Sequence, residues 1–207
     1  MHKIEGWEEV YRKEGKVFEE THPAMSWLML LFRERGIVCV LDLGSGSGRH
    51  TVLLAENKFL AYGIDISPTG VEITRQTLME KRLLADVRVA DIYEKLPYSD
   101  GFFDAIISIQ ALHHNTLDKI KKLIGEMERV LSSGGYIFVT VPSKMNQAEN
   151  FKLIEERTYI PLDGREKGLP HHFFTKEEIV KLFSNFEIEE IFVDHMEHYA
   201  FRGIKKN

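Results

Sequence analysis

The chain alternates short apolar runs with amphipathic stretches of helical period. The apolar runs are rich in β-branched residues and predict buried strands at 38–43, 60–65, 87–90, 103–109 and 136–141. The clearest helix lies between the last two strands, and its single apolar face comprises Ile120, Leu123, Ile124, Met127, Val130 and Leu131. This alternation predicts an α/β fold, with a parallel sheet covered by helices on both faces.

Local signals mark where other elements begin. A helix is predicted from Arg49 to about residue 57, and Ser67 followed by Pro68 predicts the start of another. Thr175 and Glu178 are spaced as a capping box, in which each side chain caps the other residue. Two strand-like runs, 186–193 and about 199–205, close the chain.

Two segments do not follow the alternation. Residues 1–35 precede the first strand and are predicted to be helical. Residues 142–174 form a long connection that contains Pro161, Gly164, Gly168 and Pro170. A connection of this length is usually functional or disordered, so we expect it to contribute to a binding site.

Composition narrows the functional classes. The 207 residues include 27 Lys and Arg against 32 Asp and Glu, and this mildly acidic balance argues against nucleic acid or an anionic membrane as partner. Cys39 is the single cysteine, which excludes an internal disulfide and indicates a reducing compartment. A membrane-spanning helix needs an apolar run of about 18 residues, and no run in the sequence approaches that length. The N-terminus also lacks the pattern of a signal peptide. We therefore expect a soluble, cytoplasmic protein.

A glycine-rich loop joins the first predicted strand to the first helix after it. Such a loop is also a common tight turn, but its place between a strand and a helix favours ligand binding. The dinucleotide pattern G-x-G-x-x-G, counted from Gly44, needs a glycine where Arg49 stands. Asp42, just before the loop, would repel a pyrophosphate and attract a cation. The loop therefore favours an adenosine-containing ligand with a cationic end.

Two more acidic residues end predicted strands. Asp65 lies at the spacing at which a carboxylate meets ribose hydroxyls, although it could also cap the turn that follows. Asp91 ends the third strand, where a carboxylate can accept a hydrogen bond from an adenine amino group. Carboxyl ends of parallel strands share one edge of a sheet, so Asp42, Asp65 and Asp91 are expected to lie near one site.

These motifs resemble those of the class I S-adenosylmethionine-dependent methyltransferases. In family order the matching segments are Val40–Gly48, Gly63–Ser67, Ala90–Ile92, Phe103–Ser108 and Arg129–Gly135, and the match spans about residues 36–141. The resemblance implies a doubly wound, seven-stranded, mostly parallel, Rossmann-like sheet with one antiparallel strand. It also implies S-adenosylmethionine as methyl donor and S-adenosylhomocysteine as product.

The resemblance also implies cofactor-binding residues. Gly44, Ser45, Gly46 and Gly48 would pack against the methionine part of the cofactor, with Asp42 near its amino group and Arg49 near its carboxylate. Asp65 would bind the ribose hydroxyls and Ile66 would pack on the adenine. Asp91 and Ile92 would contact the adenine edge, and Gln110 would border the methionine part.

The same resemblance implies candidate residues for catalysis and for acceptor binding. His113 and His114 come just after the fourth strand and are candidate general bases, although a structural role is also common there. The candidates for acceptor binding are Tyr11, Tyr159, His171 and His172; the two histidines could instead occupy an exposed turn. Adjacent histidines rarely direct both rings at one ion, so no metal site is predicted.

The sequence divides into functional segments. Residues 1–35 are interpreted as a helical lid, 36–141 as the cofactor-binding core, 142–174 as a substrate-side insertion and 175–207 as a final helix with a strand pair, all in one domain. The signature of amine-methylating nucleic-acid enzymes is absent after the fourth strand, which favours a small-molecule acceptor.

Three alternatives stay open on sequence grounds: a methyltransferase acting on RNA or protein, an NAD-dependent oxidoreductase, and a non-catalytic S-adenosylmethionine-binding subunit. Neither the acceptor atom nor the oligomeric state follows from the sequence.

Overall fold

The computed structural model describes residues 3–143 and 150–207. The helices in these ranges are α1 Lys3–Glu14, α2 Met25–Glu34, α3 Arg49–Glu56, α4 Pro68–Glu80, α5 Leu117–Val130 and α6 Lys176–Leu182. The strands are β1 Cys39–Leu43, β2 Leu60–Asp65, β3 Asp86–Val89, β4 Phe103–Ile109, β5 Leu131–Pro142, β6 Phe151–Glu155, β7 Thr158–Pro161, β8 His171–His172, β9 Phe186–Val193 and β10 His198–Lys205.

Seven strands form the main sheet, in the order β3-β2-β1-β4-β5-β10-β9. The strands from β3 to β5 pair in parallel, whereas β10 is antiparallel to both of its neighbours. This confirms the predicted doubly wound, mostly parallel sheet with one antiparallel strand. The strand order reverses between β1 and β4, and in such sheets a ligand binds beyond the carboxyl ends of the strands at that point.

Alternate residues of the central strands enter two different hydrophobic cores. Leu41 and Ile106 pack with α5 and α6 on one face of the sheet. Val40 and Ile107 pack with α2, α3 and α4 on the other. Each of these side chains is fully buried, and complete burial of one such side chain contributes ~1.5–3 kcal/mol. The apolar runs seen in the sequence therefore reflect a sheet that is buried on both sides.

Both predicted helix starts are present. The Ser67 side chain accepts a hydrogen bond from the Gly70 amide at 2.9 Å, and Thr175 Oγ1 accepts one from the Glu178 amide at 3.1 Å. The reverse half of the Thr175 capping box was predicted wrongly. The Glu178 carboxylate turns instead toward His172, whose Nε2 lies 3.2 Å away. The Glu178 carboxylate therefore lies beside the buried His172 imidazole and does not cap Thr175.

The connection after β5 contains a second sheet that the sequence did not predict. Strands β6, β7 and β8 form a three-stranded antiparallel sheet. Its β6 strand is largely exposed and its β8 strand has two residues, so neither produces a clear apolar alternation. The His172 amide donates to the His113 carbonyl at 2.9 Å, which joins this small sheet to the loop after β4. Residues 144–149 of the predicted insertion lie outside the described residues.

The N-terminal prediction is confirmed to the extent that α1 and α2 precede β1. In the described ranges, no helix combines the length and the apolar character that crossing a bilayer requires.

Candidate active site

A cavity of about 620 Å³ opens at the carboxyl ends of β1, β2 and β4. It is walled by the glycine loop, by α1, by the segment after β4 and by the small sheet. The predicted site residues that line it are Tyr11, Gly44, Ser45, Gly46, Arg49, Asp65, Ile66, Asp91, Ile92, Gln110, His113, His114 and His171. The fold therefore brings most of the candidates from distant parts of the chain to one cavity.

The glycine loop follows a path that leaves no room for a side chain at Gly44 or Gly46. Gly44 has a φ of +78°, and a Cβ placed there would lie 2.3 Å from the Cβ of Ala111. Gly46 has a φ of +56°, and its Cβ would lie 2.3 Å from the hydroxyl oxygen of Tyr11. Since only glycine accepts both the left-handed backbone and the contact, the loop main chain can approach α1 and the segment after β4 closely.

Asp65 holds the loop from the end of β2. Its Oδ2 accepts a hydrogen bond from the Gly46 amide at 2.8 Å, and its Oδ1 accepts one from the Ser67 amide at 2.9 Å. The carboxyl is 8% exposed, and burial raises its pKa although the amide hydrogen bonds oppose the change. A carboxylate offers about four acceptor positions, so capacity for a ligand hydroxyl is left.

Asp42 lies beneath the loop, outside the residues that line the cavity. It is 1% exposed and its Oδ2 accepts a hydrogen bond from the Thr51 hydroxyl at 2.7 Å. Burial raises its pKa to about 6, against the opposing effects of the Thr51 hydrogen bond and the Arg49 charge. Gly48 is also outside the lining, since the site of its missing Cβ faces Thr74 of α4.

Arg49 joins three parts of the cavity wall. One guanidinium nitrogen donates to Gln110 Oε1 at 2.9 Å, and another donates to the carbonyls of Phe18 and Glu20 at 3.1 and 2.9 Å. Gln110 has a φ of +59°, which is uncommon for a residue with a side chain. Its Nε2 donates to the Met196 sulfur at 2.9 Å. The predicted contact between Arg49 and a cofactor carboxylate stays a prediction.

Helix α1 lies across the cavity and is fastened at two places. The Glu8 carboxylate accepts hydrogen bonds from the hydroxyls of Ser67 and Thr69, both at 2.6 Å. At the other end of the helix, Arg165 of the insertion lies 2.6 Å from Glu14. The helix therefore links the start of α4 to the insertion and covers the space between them.

Three of the predicted histidines also line the cavity. The ring centroids of His113 and His114 are 3.9 Å apart, and those of His114 and His171 are 4.7 Å apart. Burial and the neighbouring imidazoles keep the pKa of His113 and of His114 well below the usual value, and burial lowers that of His171 to about 4. All three rings are therefore neutral at pH 7.

Two predicted acceptor-binding residues, Tyr159 and His172, are not among the residues that line the cavity. Successive residues of a strand point to opposite sides, so in β8 His171 faces the cavity and His172 faces away. His172 is fully buried, with Nδ1 2.7 Å from the Thr158 hydroxyl oxygen. Tyr159 packs against the ring of Phe173, which reaches the cavity in its place.

The sequence reasoning did not single out several residues of the cavity. Phe18, Phe151, Glu166, Phe173 and Met196 all line it. They come from three segments whose sequence carries no recognisable motif. Pairing of β6 with β7 and of β7 with β8 brings the insertion to the cavity, and pairing of β9 with β10 brings Met196 there. Phe18 is held there by Arg49, which donates a hydrogen bond to its carbonyl.

A second histidine group lies elsewhere in the described residues. His22, Asp194 and His195 are close enough to hold an ion. However, Nδ1 of His22 accepts a hydrogen bond from the Ala24 amide at 3.2 Å, and its Nε2 lies 3.2 Å from Asp194. Both nitrogens of this ring are committed, so the group is a structural contact between the N-terminal segment and the β9–β10 turn.

Comparison with known proteins shows what this chain is similar to. The sequence model of a methyltransferase domain matches residues 41–139. A tRNA (carboxymethyluridine(34)-5-O)-methyltransferase of Arabidopsis thaliana is 39% identical over 103 residues, covering 49% of this chain and 23% of that protein. The chain spans less than half the length of the first curated relatives that it matches.

Solved structures share the fold over nearly the whole chain. The PH0226 protein from Pyrococcus horikoshii OT3 matches with a TM-score of 0.75 and 21% identity, covering 96% of this chain and 99% of that one. A 1,6-didemethyltoxoflavin-N1-methyltransferase from Burkholderia thailandensis, solved with S-adenosylhomocysteine, matches with a TM-score of 0.71 and 17% identity, covering 96% and 85%. The chain therefore resembles a methyltransferase domain over residues 41–139 and shares its fold with these solved structures.

Proposed function

We propose that this protein transfers the methyl group of S-adenosylmethionine to a small-molecule acceptor. The observation that carries the proposal is one continuous cavity with two different walls. One wall consists of the glycine loop and the acidic strand ends, and the other of neutral histidines and aromatic rings. A donor seated on the first wall presents its reactive group to an acceptor held against the second.

The residues of the first wall fit the donor. Asp65 is held by two amide hydrogen bonds and keeps acceptor capacity for ribose hydroxyls. Asp91 and Ile92 lie beside it, where they suit the adenine edge, and Ile66 offers an apolar surface to the ring. Asp42 suits the amino group from below the loop, because a nearby cation compensates the charge of a buried carboxylate. Gln110 and the loop glycines border the methionine part.

The protein contributes alignment and exclusion of water. The sulfonium of the donor supplies an already activated methyl group, so the task of the chain is to align the acceptor and keep the site dry. Helix α1, fastened through Glu8 and Glu14, covers the cavity for this purpose. Trp7 adds an aromatic edge to the acceptor side, where its ring centroid is 5.4 Å from that of His114.

The histidines restrict the acceptor. A neutral imidazole can take a proton from the acceptor, but a strongly lowered pKa makes it a weak base. His113 and His114 therefore suit an acceptor whose hydroxyl, thiol or N–H group is itself acidic. Aromatic rings at Phe151 and Phe173 on the same side favour a flat, partly apolar molecule.

A tRNA acceptor is the second candidate, and the Arabidopsis relative favours it. Its match covers 49% of this chain. About half of the chain therefore lies outside the match. The net charge of −5 and the covering helix α1 support the small-molecule reading over a polyanion.

A labelled-methyl screen tests the proposal. Purified protein is incubated with S-[methyl-³H]adenosylmethionine and, in separate reactions, metabolite extract, total tRNA and total protein from one source. Label in the metabolite fraction supports a small-molecule acceptor, provided that Asp65→Ala abolishes it. Label in tRNA or protein would refute the acceptor class, and no transfer to any fraction, with binding intact, would favour a non-catalytic subunit.

A further inference from the structure

The acceptor wall contains a cluster of histidines that the methyl donor does not use. His113, His114 and His171 each offer a ring nitrogen, and the three nitrogens lie within 4.8 Å of one another. We propose that these three side chains bind a divalent transition-metal ion of the zinc, cobalt or nickel type. Imidazole is a preferred ligand for all three metals.

The first support is the hydrogen bonding of the rings. Nδ1 of His113 and Nδ1 of His114 are buried and have no hydrogen-bond partner among the described residues. Nε2 of His171 is buried beside them and faces the Glu166 carboxylate at 3.3 Å. Buried polar nitrogens are nearly always satisfied, so two unsatisfied nitrogens beside a third indicate a missing common partner. An ion satisfies all three lone pairs together.

The second support is the orientation of His114. Its Nε2 lies 3.2 Å from the carbonyl oxygen of Gln110. A carbonyl only accepts, so Nε2 carries the proton and Nδ1 has the free lone pair. Metal-binding histidines are typically fixed in this way, through a hydrogen bond from the other ring nitrogen to a carbonyl or carboxylate.

The third support is the charge around the cluster. The Glu166 carboxylate lies 3.3 Å from Nε2 of His171, and Asp91 and Asp163 line the same cavity. A cation entering the cluster therefore meets carboxylates as well as ring nitrogens. Three histidine ligands leave a tetrahedral ion one open position, which Glu166 or an acceptor atom can fill.

Binding requires a small closure of the cluster. Bonds of about 2.0–2.1 Å in a tetrahedral site place the ligand nitrogens about 3.4 Å apart. The rings therefore move together by about one ångström. Because His171 lies on β8 and the other two follow β4, the ion would join the small sheet to the main one.

An ion here has one chemical consequence, which rests on the proposed methyl transfer. The ion occupies the lone pairs of the imidazole nitrogens, so these nitrogens no longer take a proton from the methyl acceptor. Instead, the ion lowers the pKa of an acceptor hydroxyl or thiol that is bound to it. The binding of the ion itself does not depend on that function.

Cobalt titration tests the site. The full chain, freed of any tag and treated with EDTA, is titrated with Co²⁺ and followed by visible absorption and calorimetry. We expect one equivalent to bind, and His114→Gln and His171→Gln each to weaken the binding by at least about tenfold. His195→Gln, at an exposed histidine of the other group, is the matched control and should bind as the wild type does.

A wild-type measurement keeps the test independent of the variants. X-ray absorption of the Zn²⁺-loaded protein should show imidazole ligands at about 2.0–2.1 Å. No binding, an all-oxygen shell, or binding that His195→Gln alone removes would overturn the proposal. S-adenosylhomocysteine binding, measured in parallel without metal, shows separately whether the donor site is intact.

Discussion

Replacing the buried Asp42 by asparagine should make the protein more stable and less able to bind its donor. The side chain is 1% exposed, and burial raises its pKa from 3.8 to about 6. The folded protein thus holds this proton more tightly than the unfolded chain. Stability from this effect is complete below pH 3.8 and is lost as the pH rises through about 6. The difference in pKa corresponds to ~3 kcal/mol at neutral pH.

Asparagine removes the charge and keeps an acceptor for the Thr51 hydroxyl. Its amide group introduces donors that need partners, which offsets about 1 kcal/mol of the gain. We therefore expect the free energy of unfolding at pH 7 to rise by ~1–2 kcal/mol. For a chain of this length, each kcal/mol raises the melting temperature by about 2–4 °C. The affinity for S-adenosylhomocysteine should fall by about tenfold, because the negative charge beneath the loop no longer attracts the amino group of the ligand.

Urea unfolding of the ligand-free protein at several pH values measures the effect. The difference between variant and wild type should shrink as the pH falls from 6 toward 3.8. The matched control is Asp104→Asn, since Asp104 Oδ2 accepts hydrogen bonds from the amides of Val38 and Cys39, both at 2.9 Å. That variant should lose about 1 kcal/mol. An Asp42→Asn protein that is less stable than the wild type at pH 7 would refute the reasoning.

Two further substitutions test the loop and the small sheet. Gly46→Ala should abolish donor binding in calorimetry, because the added Cβ would meet the Tyr11 hydroxyl. The control is Gly36→Ala, since Gly36 has a similar positive φ but no atom near the position of the added Cβ. Donor binding should survive this substitution. His172→Ala should lower the free energy of unfolding, measured in urea, by ~2–4 kcal/mol, because it leaves a cavity where a fully buried side chain was. Hydrogen exchange in β6–β8 should become faster. His195→Ala should change stability by less than about 0.5 kcal/mol, and equal losses in the two histidine variants would contradict the assigned role of His172.

The positions of the glycine loop and of Asp65 were predictable because their signals are local. A strand, a glycine loop and a helix follow one another without interruption from β1 to α3, and Asp65 ends the strand paired with β1. Parallel pairing then places the strand ends at one edge. The Ser67 cap of α4 depends only on residues next to it in the sequence.

The acceptor side was less predictable because it depends on contacts between distant segments. The separation of His171 from His172 follows from their place in a strand that exists only through pairing with β7. The sequence likewise did not show that Arg49 would bond to Gln110, or that His171 would meet His113 and His114. Their proximity arises from the fold, which also explains why no metal site was predicted.

The central claim is that the cavity beside Asp65 binds S-adenosylmethionine, and calorimetry with S-adenosylhomocysteine tests it most directly. We predict binding at one site per chain in the wild type and at least a tenfold loss of affinity in Asp65→Ala. Heat with NAD and none with S-adenosylhomocysteine, or an affinity unchanged in Asp65→Ala, would contradict the claim.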